Sequence, residues 1–293
     1  MFVKRLFSTL VLLGLLTAAV FAPSPWNRMV FLLLSSLLTF GLVREICDMV
    51  EKLNMETWKN LTAAFCSLVI AILNIGFLYP EMIVFAGYFF VFFLALSGPL
   101  FILFSKNSGE KIRKLFNSMG IGIFVMIPVL FILGIYATGL GFTDLKKPCN
   151  YYFLVFILLT KIGDIGAYVV GTVTHKWMKN GNHKMIPSIS PGKSWEGAAG
   201  GLTVTVLLAL GFHCCLPDLL VVKTVPLAVA AGVCLFFGSM AGDLMESALK
   251  RAAGVKDSGT TIPGIGGVFD LVDSLFVTAP VASAFFILAV IWC

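Results

Sequence analysis

Seven carboxylates crowd into one stretch of this chain: Asp164, Glu196, Asp243, Glu246, Asp257, Asp270 and Asp273. Asp243, Glu246, Ser247 and Lys250 follow at i, i+3, i+4 and i+7, which puts two acids, a hydroxyl and a cation along one stripe of a helix. Arg251, Lys256 and Asp257 come next, then a flexible Gly-rich run from Ser258 to Gly267, then Asp270 and Asp273 one turn apart. Hard oxygen ligands beside Lys and Arg suit Mg²⁺ with a polyphosphate. A salt-bridged helical hairpin is the plainer alternative, although five acids and three cations are more than it needs.

Two upstream segments carry related signals. Asp164, Ala167, Tyr168 and Gly171 share one helical face, and the small residues there let a neighbouring helix approach. A packing face with Asp164 hydrogen-bonded between helices, paired with Lys161 one turn earlier, explains that segment equally well. The second segment holds Ser190, Pro191, Gly192, Lys193, Ser194 and Glu196. Its Gly-Lys-Ser resembles a phosphate loop, but GxxxxGKS/T needs Gly where Pro187 stands and a strand where an apolar span precedes. What survives is exposed amides, a lysine and hydroxyls at the start of a helix, whose N-terminus favours anions.

The elements that position these residues must be membrane spans. The 293 residues are 59% hydrophobic and 12% charged, with mean hydropathy +0.98, against roughly 25% charged in a soluble domain. The expected fold is an all-α polytopic membrane protein with about nine transmembrane helices, near 6–21, 26–43, 61–79, 82–104, 119–140, 151–173, 197–216, 225–246 and 268–292. The first run also resembles a signal peptide, and an uncleaved span is favoured because it gives a consistent charge pattern. With the N-terminus cytoplasmic, sixteen of the 21 Lys and Arg fall inside, four outside and Lys161 within a span, a clear positive-inside bias. The net charge of +6 is thereby explained without nucleic acid.

Residues 1–150 are read as five N-terminal spans with an amphipathic surface helix at 45–59. Residues 151–293 are read as a catalytic domain of four spans with cytoplasmic loops at 174–196 and 247–267. Glu45, Asp48, Glu51, Glu56, Glu81, Glu110, Asp144 and Asp218 fall in loops or at span ends, where a solvated role suffices. The seven cysteines show no CxxC pair and the three histidines no ligand spacing, which speaks against a zinc site.

The stretch from Ser247 to Asp273, SALKRAAGVKDSGTTIPGIGGVFDLVD, resembles the C-terminal signature of the phosphatidate cytidylyltransferases, SxxKRxxxxKDxxxxxPGHGGxxDRxD. Lys250, Arg251, Lys256, Asp257, Pro263, Gly264, Gly266, Gly267, Asp270 and Asp273 match; Ile265 and Leu271 stand where that family has His and Arg. The family's D-x-x-A-Y and S-P-x-K-S/T-x-E-G elements resemble Asp164-Ala167-Tyr168 and Ser190 to Gly197. The resemblance covers about residues 161–274, and the first 150 residues add only hydropathy.

The resemblance implies transfer of CMP from CTP to phosphatidate, giving CDP-diacylglycerol and pyrophosphate. It implies Mg²⁺ on Asp243 and Asp270, with a second cation admissible and with Asp273, Glu246 and Asp164 as further ligands or as groups that support the ligands. Lys193, Lys250, Arg251 and Lys256 would cradle the triphosphate, and Ser190, Ser194, Ser247 and Asp257 would bind substrate. Gly264, Gly266 and Gly267 would let backbone approach phosphate. The expected setting is an integral membrane protein with its site facing the cytoplasm, in the inner membrane if the source is bacterial, with a homodimer among the admissible assemblies. A cation-coupled transporter is the rival reading, since intramembrane acids suit it too. It does not predict the 247–273 pattern.

Overall fold

A long apolar run in lipid has no water to satisfy its backbone, so it must close its own hydrogen bonds as a helix. The computed structural model describes residues 2–78, 108–142, 150–215 and 224–291. They form α1 (Phe2–Phe21), α2 (Trp26–Glu51), α3 (Lys59–Leu78), α4 (Ser108–Phe142), α5 (Tyr151–Trp177), α6 (Trp195–Cys215), α7 (Val225–Ala252) and α8 (Phe269–Ile291). A small hairpin, β1 (Lys184–Ile186) and β2 (Ser190–Ser194), lies between α5 and α6. Helices α1 to α7 are long and apolar enough to cross a membrane, seven spans among the described residues. The expected span at 82–104 lies outside them. Large apolar side chains on the helix surfaces, such as Leu33, Leu37, Ile165, Leu207 and Phe237, are exposed, as lipid contact permits.

Several helices outrun their apolar stretches. α2 reaches Glu51 and α7 reaches Ala252, because helical hydrogen bonding continues into charged ends that hydropathy does not mark. The separate amphipathic helix expected at 45–59 is therefore not present. Residues 45–51 are the last turns of α2, 52–54 form a turn with Asn54 at φ 61°, and α3 starts at Lys59. Leu42, Glu45, Ile46 and Met49 form one covered stripe of α2, while Leu53 and Met55 lie exposed beyond its end, outside any helix.

Packing divides the chain into two compact units, Met1–Leu133 with Ala252–Leu271, and Gly134–Arg251 with Val272–Cys293. In the first, α1 packs on α2 and α2 on α3. Polar contacts stitch the α2 to α3 seam: Ser67 Oγ donates to the Ser36 carbonyl at 2.9 Å, and Asn74 Nδ2 to Ser35 Oγ at 3.2 Å. At one end Lys59 pairs with Asp48 and Lys114 with Glu56 and Glu110. The segment after α7 belongs to this unit, and Ser8 Oγ donates to the Pro263 carbonyl at 2.8 Å.

The second unit is built on a seam of small residues between α5 and α6. α5 is capped by Asn150, whose side chain accepts from Phe153 N at 3.1 Å and donates to the Tyr136 carbonyl at 2.7 Å. Val155 and Leu159 of α5, Ala209 of α6 and Leu235 of α7 form its apolar core. The GxxxG pair of α7 serves close approach to α8, with Gly238 against Thr278 and Gly242 against the backbone of Asp273. A Cβ at Gly201 of α6 would lie 2.6 Å from both the Gly163 carbonyl oxygen and the Phe236 ring. Gly201→Ala should therefore lower stability in detergent by about 1–3 kcal/mol, read as a fall in Tm. Gly211→Ala, where nothing lies within 4 Å of a Cβ, should leave Tm unchanged; equal Tm values for the two variants would refute the close seam.

Candidate active site

The 184–194 segment folds back because Pro187 and its neighbours make a turn, closed by Ile189 N donating to the Ile186 carbonyl at 3.2 Å. β1 and β2 then pair antiparallel, with Lys184 opposite Ser194 and Ile186 opposite Ser190. Two contacts fix the hairpin to α6. Ser194 Oγ accepts from Gly197 N at 3.1 Å, capping the helix. The Glu196 carboxylate accepts from His183 N at 3.1 Å, and its Oε1 lies 2.6 Å from His183 Nδ1. The Ser194 hydroxyl, expected to bind substrate, is thus buried and engaged as a cap.

This anchoring points Lys193 at α7. Its Nζ donates to Asp243 Oδ2 at 3.1 Å and to the Met240 carbonyl at 3.3 Å. The pair lines a cavity of about 250 Å³ together with Asp164, Ser190, Ser194, Tyr168 and Phe236. Five of the expected site residues, from α5, the hairpin and α7, therefore share one cavity. Asp164 is held by Ser239, whose Oγ donates to Oδ1 at 2.7 Å. Lys161 reaches across to α8, with Nζ 2.6 Å from Ser274 Oγ and 3.5 Å from Asp273 Oδ1. Asp164 and Asp273 both feel the charge of Asp243, so three acids and two lysines form one electrostatic set.

Asp243 has one oxygen committed to Lys193; the other, Oδ1, is buried and accepts no hydrogen bond among the described residues. An orphaned carboxylate oxygen out of water is costly unless a cation or donor meets it. Among the described residues no three Asp, Glu, His or Cys side chains converge as a ready metal cage. The open Asp243 oxygen is a ligand of the kind Mg²⁺ takes, an ion that needs one or two protein carboxylates beside water and substrate phosphate.

Further along α7, Lys250 pairs with Glu246 at 2.9 Å, and Arg251 Nε donates to the Ile189 carbonyl at 3.3 Å, tying the hairpin turn to the end of the helix. Ser247 is half-buried on the same helix. The other signature residues lie in the first unit. There Asp270 Oδ2 accepts from Gly267 N at 2.8 Å, from Ser258 Oγ at 2.9 Å and from Ser258 N at 3.2 Å. Lys256 and Asp257 are exposed. The open cradle expected at Gly264, Gly266 and Gly267 is filled from within: a Cβ there would meet the Arg5 backbone, the Asp270 carboxylate, and Ser258 with Glu45, respectively.

Glu45 is the main correction to the sequence reading. Expected in a solvated role, it is 4% exposed and accepts from Val268 N at 2.9 Å, Phe269 N at 3.0 Å, Ser258 Oγ at 3.3 Å and Thr261 Oγ1. Its position at i+3 between Leu42 and Ile46, on the apolar stripe of α2, was the available signal. Ser239, Ser258 and Ser274, each a partner of a signature acid, had no sequence signal of their own.

The sequence pattern of the Cytidylyltransferase family matches residues 3–289. A phosphatidate cytidylyltransferase of Haemophilus influenzae is 39% identical over 137 residues, 46% of this chain and 46% of the relative. One of Pseudomonas aeruginosa is 35% identical over 166 residues, 57% of this chain and 56% of the relative. A chloroplastic phosphatidate cytidylyltransferase of Arabidopsis thaliana is 49% identical over 102 residues, 33% of this chain and 24% of the relative. The chain thus spans about half, or less, of the curated relatives it matches. With the pattern extending over nearly the whole sequence, the chain belongs to the cytidylyltransferase family.

Proposed function

We propose that this protein transfers CMP from CTP to phosphatidate, releasing pyrophosphate and leaving CDP-diacylglycerol in the membrane. The observation that carries the proposal is the Lys193–Asp243 pair in a cavity that Asp164, Ser190 and Ser194 also line, within an apolar helical unit. The pair is half-buried, and an ion pair partly withdrawn from water contributes little to stability compared with apolar packing of the same volume. Its presence at a cavity is better explained by a substrate that competes for both partners. The named activity of the relatives identifies a fitting substrate.

In the proposed reaction a phosphate oxygen of phosphatidate forms a bond to the α-phosphorus of CTP. The bond from that phosphorus to the bridging oxygen breaks, and its electron pair leaves with pyrophosphate. The nucleophile is already anionic, so alignment and charge neutralisation matter more than a general base. Lys193 would exchange its contact with Asp243 for a phosphate oxygen, with Lys250, Arg251 and Lys256 as further cations for the triphosphate. Ser190, which lines the cavity, and Ser247 would donate hydroxyls to phosphate. Asp243 would hold Mg²⁺ through its orphaned oxygen, with Asp273, Glu246 and Asp164 as further ligands or supports; Asp270 joins this set on the signature alone. Mg²⁺, when bound, supplies neutralisation of the triphosphate charge. We further propose nine spans with a cytoplasmic N-terminus, which places both motif loops on the CTP side.

Purified protein given CTP, phosphatidate and Mg²⁺ should form CDP-diacylglycerol and pyrophosphate in equal amounts. Lys193→Met and Asp243→Asn should each lower kcat/KM by about 100-fold or more, without making ATP the preferred nucleotide. Near-wild-type turnover in both variants would refute the assignment of this cavity, and a switch to ATP in Lys193→Met would show that Lys193 reads the base. For topology, single cysteines placed at 193 and 256 should react with a membrane-impermeant thiol reagent from the same side. Labelling from opposite sides would end a single cytoplasmic site.

A further inference from the structure

Glu45 is a buried acid that the proposed reaction does not use, and its surroundings require a carboxylate. Its two oxygens each accept from a backbone N–H, Oε1 from Val268 and Oε2 from Phe269, consecutive amides at the start of α8. Thr261 Oγ1 adds a donor to Oε1, and the single Ser258 hydroxyl proton is shared between Oε2 and Asp270 Oδ2. Backbone N–H groups only donate, and the first amides of a helix have no partner within it. An anionic carboxylate at that end satisfies both and complements the helix dipole. An amide in its place would turn an NH₂ toward one of these donors.

The loop is shaped around this group. A Cβ at Gly259 would lie 2.6 Å from Glu45 Oε1, and one at Gly267 would lie 2.5 Å from Glu45 Oε2 and overlap Ser258 Oγ. Ser258 is shared: its hydroxyl lies 3.3 Å from Glu45 Oε2 and 2.9 Å from Asp270 Oδ2, and Asp270 N donates to it at 3.3 Å. Glu45 and Asp270 therefore grip the same turn of backbone, through the same serine, from a residue more than 200 positions upstream.

We infer that Glu45 is a positioning residue of the transferase reaction: its carboxylate clamps residues 258–269 and thereby fixes Asp270 in its working orientation. This inference rests on the reading of Asp270 as part of the reaction machinery. In the proposed reaction Asp270 serves Mg²⁺ while Lys193 meets CTP, so the clamp should act on turnover and Mg²⁺ use more than on CTP affinity.

The test compares Glu45→Gln and Thr261→Val with the control Glu110→Gln, each as full-length protein in detergent. Amide hydrogen exchange of residues 258–269 is read alongside kcat, KM for CTP, and the Mg²⁺ concentration giving half-maximal rate. Glu45→Gln should speed exchange in that segment by about tenfold or more, lower kcat by about tenfold or more and raise half-saturating Mg²⁺, with KM for CTP within about threefold. Thr261→Val, which removes one donor and keeps the volume, should move the same quantities in the same direction by about threefold, and it carries the test if Glu45→Gln does not fold. Unchanged exchange in folded Glu45→Gln would overturn the clamp. Faster exchange with kcat and Mg²⁺ dependence at control values would overturn the positioning role and leave a structural one. If the wild-type protein makes no CDP-diacylglycerol, the functional reading falls, and with it the positioning role; the exchange result still decides whether Glu45 holds the loop.

Discussion

Holding a carboxylate out of water costs several kcal/mol unless a cation or a set of donors meets it, and in this protein that cost is met by a different device at buried Glu45 and at the half-buried Asp164, Asp243 and Asp273. Asp243 has Lys193, Asp164 has Ser239, Asp273 has Lys161 with Ser274 N, and Glu45 has two helix amides and two hydroxyls. Each solution ties together segments that are distant in sequence. Lys193 joins the hairpin to α7, Lys161 joins α5 to α8, and Glu45 joins α2 to the signature loop. The acids thus determine which helices must approach, and glycines at the contacts, Gly201 and Gly242 among them, make that approach sterically feasible.

The same constraint separates structure from chemistry. Where every polar atom of a buried acid has a partner, as at Glu45, the group organises the fold around it. Where one oxygen is left over, as at Asp243, the proposed reaction would supply its partner as Mg²⁺. The Lys193 ammonium points into the same cavity. An anion that displaces Lys193 from Asp243 and a cation that takes the freed carboxylate would arrive together as a metal-bound nucleotide, so occupation would leave neither charge unpaired.

Much of this was legible because charge in an apolar run stands out. Asp164 and Asp243 stand out on that basis and Lys193 by its Gly-Lys-Ser setting at a helix start, and the structure gathers them in one cavity although they come from three separate elements. The helical character followed from hydropathy, but helix ends did not, since α2 and α7 continue past their last apolar residue. Glu45 was missed for that reason: a span drawn to end at 43 turns a buried acid into a loop residue. Partner choice was also hidden. Asp270 and Asp273 look equivalent one turn apart, yet Asp270 is held by loop amides and Asp273 by Lys161 and its own helix backbone, because partners depend on which segments fold together rather than on spacing.

The central claim is that the cavity supports nucleotidyl transfer, with attack at the α-phosphorus of CTP. It is tested most directly by the fate of the phosphates. Wild-type protein is supplied with phosphatidate, Mg²⁺ and CTP labelled either at the α- or at the γ-phosphate, and lipid and aqueous products are then separated. The account predicts that the α-label enters the lipid and the γ-label leaves as pyrophosphate. A γ-label in the lipid would show phosphoryl transfer instead, and no α-label in the lipid would contradict the proposed reaction outright.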